Sequence, residues 1–195
     1  FRENICHSCG TCSMYGTANT MGVFAEVIGV CPIDSTTMLF CSSAKYKQAR
    51  DVGECIVTLT KEQVRFSDIV TEESLINGLR HTAATGGSTN AVMHLTAVAR
   101  ELGIESGRMM ELFERMNKQV PLVAKVNPAS KYNMEDFCQA GGIPQVMREI
   151  RPVLHLDAMT VTGKTVGENL DSYPYEPPDR EIIKTMVEPF AAFGG

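Results

Sequence analysis

Apolar residues recur along most of the chain at intervals of three and four positions, the spacing that places side chains on one face of an α-helix. Gly29 follows the first such stretch and is a plausible helix end, because glycine readily adopts the left-handed conformation found there. Ser42 or Ser43 precedes the second stretch as a candidate N-cap. The predicted inward faces comprise Met14, Ala18, Met21, Ala25 and Ile28 in the first helix and Tyr46, Ala49, Val52, Ile56 and Leu59 in the second.

The rest of the chain continues the helical pattern and adds two short apolar stretches. Residues 122–126 and 159–162 are predicted to be strands, because each is a brief apolar run bounded by turn residues. Many helices with a few strands favour the α/β class over an all-α fold. Further helices are predicted after Thr71, over residues 91–102 and 106–119, and near Asn133 and Pro144.

A proline-rich stretch near the C-terminus predicts a domain boundary. Three prolines fall within residues 171–179, which are typical of a linker. We therefore expect residues 1–170 to belong to one domain, and residues 171–195 to form a linker and the truncated start of another. Because the chain begins with Phe1 rather than Met, we expect it to be an internal piece of a longer protein.

Composition describes a globular protein and disfavours two classes of partner. The 195 residues are 44% hydrophobic and 21% charged, which is typical of a folded domain. The formal net charge of −5 and the scattered Lys and Arg residues argue against nucleic-acid binding, which needs a basic surface. No apolar stretch approaches the ~20 residues that a membrane span requires. We expect neither a nucleic-acid partner nor a membrane anchor.

The cysteines supply the sharpest chemical signal. Seven is an odd number, so they cannot all pair with one another, and a reducing, cytoplasmic setting is expected. Cys6, Cys9 and Cys12 form a C-x-x-C-x-x-C run that suits an iron–sulfur cluster, although no cysteine stands at the usual fourth position. Zinc would also need a fourth ligand. The remaining interpretation is one important thiol among cysteines that merely pack in a core.

Two segments place possible anion sites at helix N-termini. Cys12 precedes the first predicted helix, where unpaired N–H groups would stabilise a thiolate or an anionic cluster. Ser88, Thr89 and Asn90 follow two glycines and lead into another helix, so this turn could bind a carboxylate or a phosphate. A tight turn followed by an ordinary N-cap explains the same residues equally well.

Four segments, in order along the chain, resemble the family of dihydroxy-acid and sugar-acid dehydratases. Any one of them alone is a weak signal, but the ordered set is specific and spans nearly the whole chain. Family members are considerably longer, so the resemblance implies the later part of the N-terminal α/β domain and the start of the C-terminal domain. The segments are CGTCSMYGTANTM at 9–21, GGSTNAVMHL at 86–95, KYNMED with GGIP at 131–144, and TVTGKT at 160–165.

The resemblance implies an iron–sulfur cluster, with two or four irons, and Mg²⁺ as cofactors. Cys12 matches the third cluster cysteine of the family, whereas Cys6 and Cys9 are not implied as ligands. The other cluster cysteines, the magnesium ligands and the serine base would lie outside this chain. The implied reaction removes water from a 2,3-dihydroxy acid: a base takes the C2 proton, iron assists departure of the C3 hydroxyl, and the enol becomes a 2-keto acid.

The substrate and the assembly are expectations of the same kind. Branched dihydroxy acids of amino-acid biosynthesis and sugar acids both suit this chemistry, and Ser88, Thr89 and Asn90 are candidate substrate-binding residues. The family suggests a homo-dimer or homo-tetramer, and the isolated chain is expected to be inactive. The alternative function is a small metal- or iron–sulfur-binding electron-transfer module in which Cys6, Cys9 and Cys12 act together.

Overall fold

The computed structural model describes residues 10–195, and helices dominate that range. Nine α-helices and one 3₁₀ turn, Arg151–Val153, are present in this part of the chain, and loops connect them. Their bounds are α1 Thr17–Val27, α2 Ser43–Lys61, α3 Phe66–Ile69, α4 Glu72–Thr85, α5 Asn90–Glu101, α6 Ser106–Gln119, α7 Met134–Gln139, α8 Gly142–Glu149 and α9 Val166–Ser172. No helix in this described range is long and apolar enough to cross a membrane.

Most predicted helix ends are confirmed, because capping is a local interaction. The Ser42 side chain accepts a hydrogen bond from the backbone N–H of Lys45 at the start of α2, and Thr71 caps α4 in the same way. Gly29 and Gly86 adopt positive φ angles of 88° and 65° just beyond the ends of their helices. Helix α1 begins at Thr17, so it is shorter at its start than the apolar pattern predicts.

The two predicted strands form no sheet in the described part of the chain, and the α/β class is therefore not confirmed. Leu122 and Ala124 each take part in a single isolated bridge, and so does Met159. The backbone N–H groups of Val123 and Ala124 both donate to the carbonyl of Ala84, at the end of α4. A helix terminus thus satisfies groups that a neighbouring strand would satisfy in a sheet.

Two hydrophobic clusters form the core, and α1 lies between them. The first surrounds α7, α8 and the extended residues 120–126, and α1 contributes Val23 and Val27 to it. The second is built by α4, α5 and α6, and α1 contributes Phe24 and Ile28. Of the inward face predicted for α1, only Ile28 is buried. The predicted face was wrong because the residues that meet the two clusters, Val23, Phe24 and Val27, lie on the other side of α1.

Helix α2 departs furthest from expectation. None of its residues is buried, although its start matches the prediction. Tyr46 is 72% exposed and Ile56 is 57% exposed, so the predicted apolar face does not contact a core within residues 10–195. Contact with the rest of the molecule runs along another side of the helix, where the Cys55 thiol donates to the carbonyl of Val161.

The C-terminal residues pack against the first cluster. Ile182 and Ile183 are buried in it, and the backbone N–H of Phe190 donates to the carbonyl of Leu122. The division into residues 1–170 and 171–195 stays a prediction.

Candidate functional site

Cys12 lines a cleft of about 330 Å³ between α1 and two loops. One wall is the Cys12 loop, comprising residues 10–13, and the other is the loop of residues 35–40. Lys45 is the one cationic side chain among the described lining residues of the cleft. The remaining lining comes from Ala18, Asn19, Gly22, Cys31, Met134 and Glu135.

Small residues on α1 form the floor of the cleft. Ala18 and Gly22 lie on this side of the helix, and a Cβ atom on Gly22 would stand 2.7 Å from Cγ2 of Thr36. Such a contact is too short for any real side chain. Glycine at position 22 therefore allows the loop of residues 35–40 to approach α1 closely.

Asn19 ties the Cys12 loop to the same helix. It is 1% exposed, and its Nδ2 atom lies 2.7 Å from the carbonyl oxygen of Cys12 and 2.7 Å from that of Met14. Its Oδ1 atom is buried and has no hydrogen-bond partner among the described residues. Sequence reasoning missed this residue, because a polar side chain within a helix is usually assigned to the solvent face.

Tyr15 and Ser13 hold the loop from its other side. The Tyr15 hydroxyl lies 3.0 Å from Oγ1 of Thr85, and the carbonyl of Ser13 accepts from the backbone N–H of Met134. Burial raises the pKa of Tyr15 to about 12, and the hydrogen bond to Thr85 opposes that shift. The loop is therefore anchored to α1, α4 and α7 at once.

Glu26 organises the opposite wall from inside α1. Its carboxylate accepts from the backbone N–H groups of Asp34 and Thr36. Burial raises the pKa of Glu26 to about 8, and these two hydrogen bonds oppose the shift. Asp34 in turn accepts from the hydroxyls of Thr37 and Tyr173. Sequence reasoning missed Glu26 as well, since one acidic residue in a helix gives no sign of burial.

The thiols that line the cleft differ in their surroundings. The Cys12 side chain is exposed, whereas Cys31 is half-buried. Burial first, and then the nearby Glu26 carboxyl, raise the pKa of the Cys31 thiol. Because metals bind the thiolate, Cys31 is the poorer candidate ligand.

The described residues could supply one ligand to a metal group, but not a complete set of ligands. Within residues 10–195, no three His, Cys, Asp or Glu side chains converge closely enough to hold a metal ion. Cys12 presents an accessible thiol at a cleft with room beside it. These residues therefore suit a cluster to which this segment contributes one thiolate and other polypeptide contributes the remaining ligands.

Cys12 does not stand at the end of a helix, contrary to expectation. Helix α1 begins at Thr17 with Gly16 as its N-cap, so Cys12 lies in the loop ahead of it. The extended backbone of Gly16, with ψ near −166°, prevents the helix from reaching further back. The helix dipole argument therefore applies to Thr17 rather than to the Cys12 thiol.

The predicted anion-binding turn covers the start of α1. Oγ of Ser88 lies 2.9 Å from Oγ1 of Thr17, and Nδ2 of Asn90 donates to the same Thr17 oxygen. The backbone N–H of Ser88 donates to Oγ1 of Thr20. A Cβ atom on Gly87 would stand 2.6 Å from Cγ2 of Thr20, so this close approach requires glycine.

The two predicted site segments therefore meet at the start of α1, on different sides of it. Ser88, Thr89 and Asn90 do not line the Cys12 cleft, although Thr89 and Asn90 are exposed. Oγ of Ser88 also accepts from the backbone N–H of Asn90, at 3.3 Å, and so serves the first turn of α5. Cys6 and Cys9 lie outside the described residues.

Comparison with known proteins gives one consistent result. Residues 1–169 match the family model described as the N-terminal part of dihydroxy-acid/6-phosphogluconate dehydratases. A dihydroxy-acid dehydratase from Caldanaerobacter subterraneus is 37% identical over 195 residues, covering 99% of this chain and 34% of its own length. A dihydroxy-acid dehydratase from Aquifex aeolicus is 36% identical over 192 residues, which cover 97% of this chain and 34% of that relative. The chain thus spans about a third of the length of these curated relatives.

Proposed function

This chain belongs to the dihydroxy-acid and 6-phosphogluconate dehydratase family, and from that premise we propose that it is part of an iron–sulfur hydro-lyase. The enzyme would convert a 2,3-dihydroxy acid to a 2-keto acid with loss of water. The relatives are named for a dihydroxy acid rather than a sugar acid, which favours a dihydroxy acid as substrate. The segment alone would be inactive, because it supplies only part of the site.

The observation that carries this proposal is the exposed thiol of Cys12 at an open cleft, within a segment that matches the family. We assign Cys12 as one ligand of the cluster. An iron–sulfur cluster held there would supply a Lewis-acidic iron beside the hydroxyl group that departs. The ligands of Mg²⁺, the serine base and the other cluster ligands would come from polypeptide outside this segment.

Residues of this chain would prepare the site rather than perform the proton transfer. Asn19 and Glu26 hold the two loops that wall the cleft. Thr89 and Asn90 are exposed beside the start of α1 but lie outside the Cys12 cleft. A role for Ser88, Thr89 and Asn90 in contacting the substrate therefore rests on the chemistry of their turn and not on proximity to the cleft. Five unpaired cysteines among the described residues are consistent with a reducing, cytoplasmic setting, and a homo-dimer or homo-tetramer is the assembly proposed for the full-length protein.

The alternative, an electron-transfer module, is not favoured. It would require Cys6, Cys9 and Cys12 to act together in a small independent unit. The matched relatives are named as dehydratases over nearly the whole of this chain, which supports the hydro-lyase instead.

The experiment is cysteine replacement in the full-length protein that carries this segment. Cys12→Ser should abolish the visible absorption of the anaerobically reconstituted cluster, the bound iron and the formation of 2-keto acid, because serine is a poor iron ligand. Cys41→Ser is the matched control, since Cys41 is also an exposed thiol but does not line the cleft.

Replacement of Cys6 or Cys9 by serine should leave cluster content unchanged. Loss of the cluster in both of these variants would favour the electron-transfer alternative. Full cluster content in Cys12→Ser would contradict the ligand assignment.

A further inference from the structure

The direction of the Cys12 thiol depends on contacts made outside any helix, because Cys12 lies in the loop that precedes α1. The thiol itself donates to the carbonyl of Met14, at 3.6 Å, and that carbonyl is bound in turn by Asn19. The Nδ2 atom of Asn19 donates to the carbonyls of Cys12 and Met14, both at 2.7 Å. One side chain therefore fixes two backbone groups, and one of them belongs to the candidate ligand itself.

The chemistry of this contact requires an asparagine. A side-chain amide carries two N–H donors, and here both are directed to carbonyl oxygens. Rotating the amide by half a turn would bring its oxygen against two other oxygens, so the assignment of nitrogen and oxygen is determined. Aspartate has no donor when ionised, and glutamine is one methylene longer.

The unpaired oxygen of Asn19 indicates that the residue does more than stabilise the fold. Its Oδ1 atom is buried without a partner in the described part of the chain, which generally destabilises a folded protein. Asn77 provides the contrast, because it is also buried and uses both ends of its amide. Its Nδ2 donates to the carbonyl of His155 at 2.9 Å, and its Oδ1 accepts from the N–H of His155 at 2.7 Å. Asn19 instead directs both donors to the carbonyls of Cys12 and Met14, and its acceptor has no partner among residues 10–195.

We propose that Asn19 is a positioning residue, which fixes the Cys12 thiolate for cluster binding through the backbone of the loop. This inference rests on the proposed function. Partners that orient a metal ligand typically contribute about 10- to 100-fold to metal affinity. Asn19 is suited to that task because it belongs to α1, which is held between both hydrophobic clusters of the core.

The test compares Asn19→Asp with Asn77→Asp in the reconstituted full-length protein. Cluster content is measured as visible absorption and bound iron per folded molecule, with the folded fraction taken from circular dichroism. Asn19→Asp should retain about 10-fold less cluster than the unmodified protein under competition with a chelator. Asn77→Asp should lose stability but retain the cluster as before, because it lies away from the cleft.

The spectrum of the cluster adds a readout that a merely structural role would not move. A displaced Cys12 thiolate would alter the visible absorption of the cluster that remains bound, so Asn19→Asp should change the shape of that spectrum and Asn77→Asp should not. Asn19→Ser is the second variant, for use where the charged variant does not fold. Its single hydroxyl cannot satisfy both carbonyls, so it should also lose the cluster.

Two results would overturn the positioning role. One is that both Asn19 variants retain as much cluster as the unmodified protein. The other is that Asn77→Asp loses as much cluster as Asn19→Asp. The Cys12→Ser variant separates this inference from the proposed function. If that variant keeps the cluster, the ligand assignment fails; if it loses the cluster while the Asn19 variants keep it, only the positioning role fails.

Discussion

Helices α1 and α2 are successive in the chain but differ in what surrounds them. Helix α1 is only weakly amphipathic, yet six of its eleven residues are buried, including the polar residues Asn19, Thr20 and Glu26. Helix α2 has a regular apolar stripe, yet none of its residues is buried. The spacing of apolar residues therefore predicted that both segments are helical, but it did not predict which of their residues are buried.

The difference arises from close approach. Glycines and other small residues let distant segments reach the surface of α1: Thr36 packs over Gly22, and Phe24 of α1 fits against Gly78 of α4. Gly53 of α2 has no described atom within contact distance of where its side chain would be. The hydrophobic stripe of α2 has no partner in the described part of the chain.

The largest expected contrast comes from removing one aromatic side chain from each helix. Phe24→Ala should destabilise the chain by about 3–5 kcal/mol, because Phe24 is 2% exposed and its loss leaves a cavity beside Gly78. Tyr46→Ala should change stability by less than about 0.5 kcal/mol, since Tyr46 is 72% exposed. Urea unfolding of the isolated chain measures both. Equal effects would show that α2 is packed in solution.

The next contrast concerns the buried carboxyl of α1 and the pH dependence of stability. Burial raises the pKa of Glu26 from 4.5 to about 8, so the folded state favours the protonated form. The contribution of this group to the free energy of unfolding is fully present below pH 4.5 and is lost as the pH rises to about 8. The loss should approach about 1.4 kcal/mol per pH unit within that window.

Glu26→Gln should remove this loss, so the comparison is made between variant and unmodified chain at each pH. The comparison with the unmodified chain is needed because His81 changes stability with pH in the opposite direction. Burial lowers the pKa of His81 to about 3, and stability from that group falls as the pH drops below 6.5. If the stability of Glu26→Gln varied with pH in the same way as that of the unmodified chain, the raised pKa of Glu26 would be contradicted.

The smallest contrast is a change of sign between two helical glycines. Gly22→Ala should destabilise by about 1–3 kcal/mol, because its Cβ would stand 2.7 Å from Thr36. Gly53→Ala should stabilise by about 0.5–1 kcal/mol, because alanine restricts the unfolded chain and finds open space in α2. Thermal unfolding of the two variants reports both signs. Stabilisation by Gly22→Ala would mean that the loop of residues 35–40 does not approach α1 in solution.

Much of the candidate site could be anticipated from the sequence, but not its construction. The match to the family drew attention to Cys12, and the structure gives that residue an exposed thiol at a cleft. Asn19 and Glu26 escaped notice, because their partners are carbonyl and N–H groups of loops whose position no local pattern encodes. The turn at Ser88 was recognised as unusual, but its contact with Thr17 joins residues far apart in the chain.

The sequence by itself determined most helix ends and which family the chain belongs to. Caps such as Ser42 and Thr71 bind N–H groups only three residues away, so the information is local. Tertiary structure alone decided which faces are buried, why residues 122–126 form no sheet, and how the Cys12 loop is held. Those outcomes depend on contacts between segments distant in sequence, and a periodic pattern contains no record of what will pack against it.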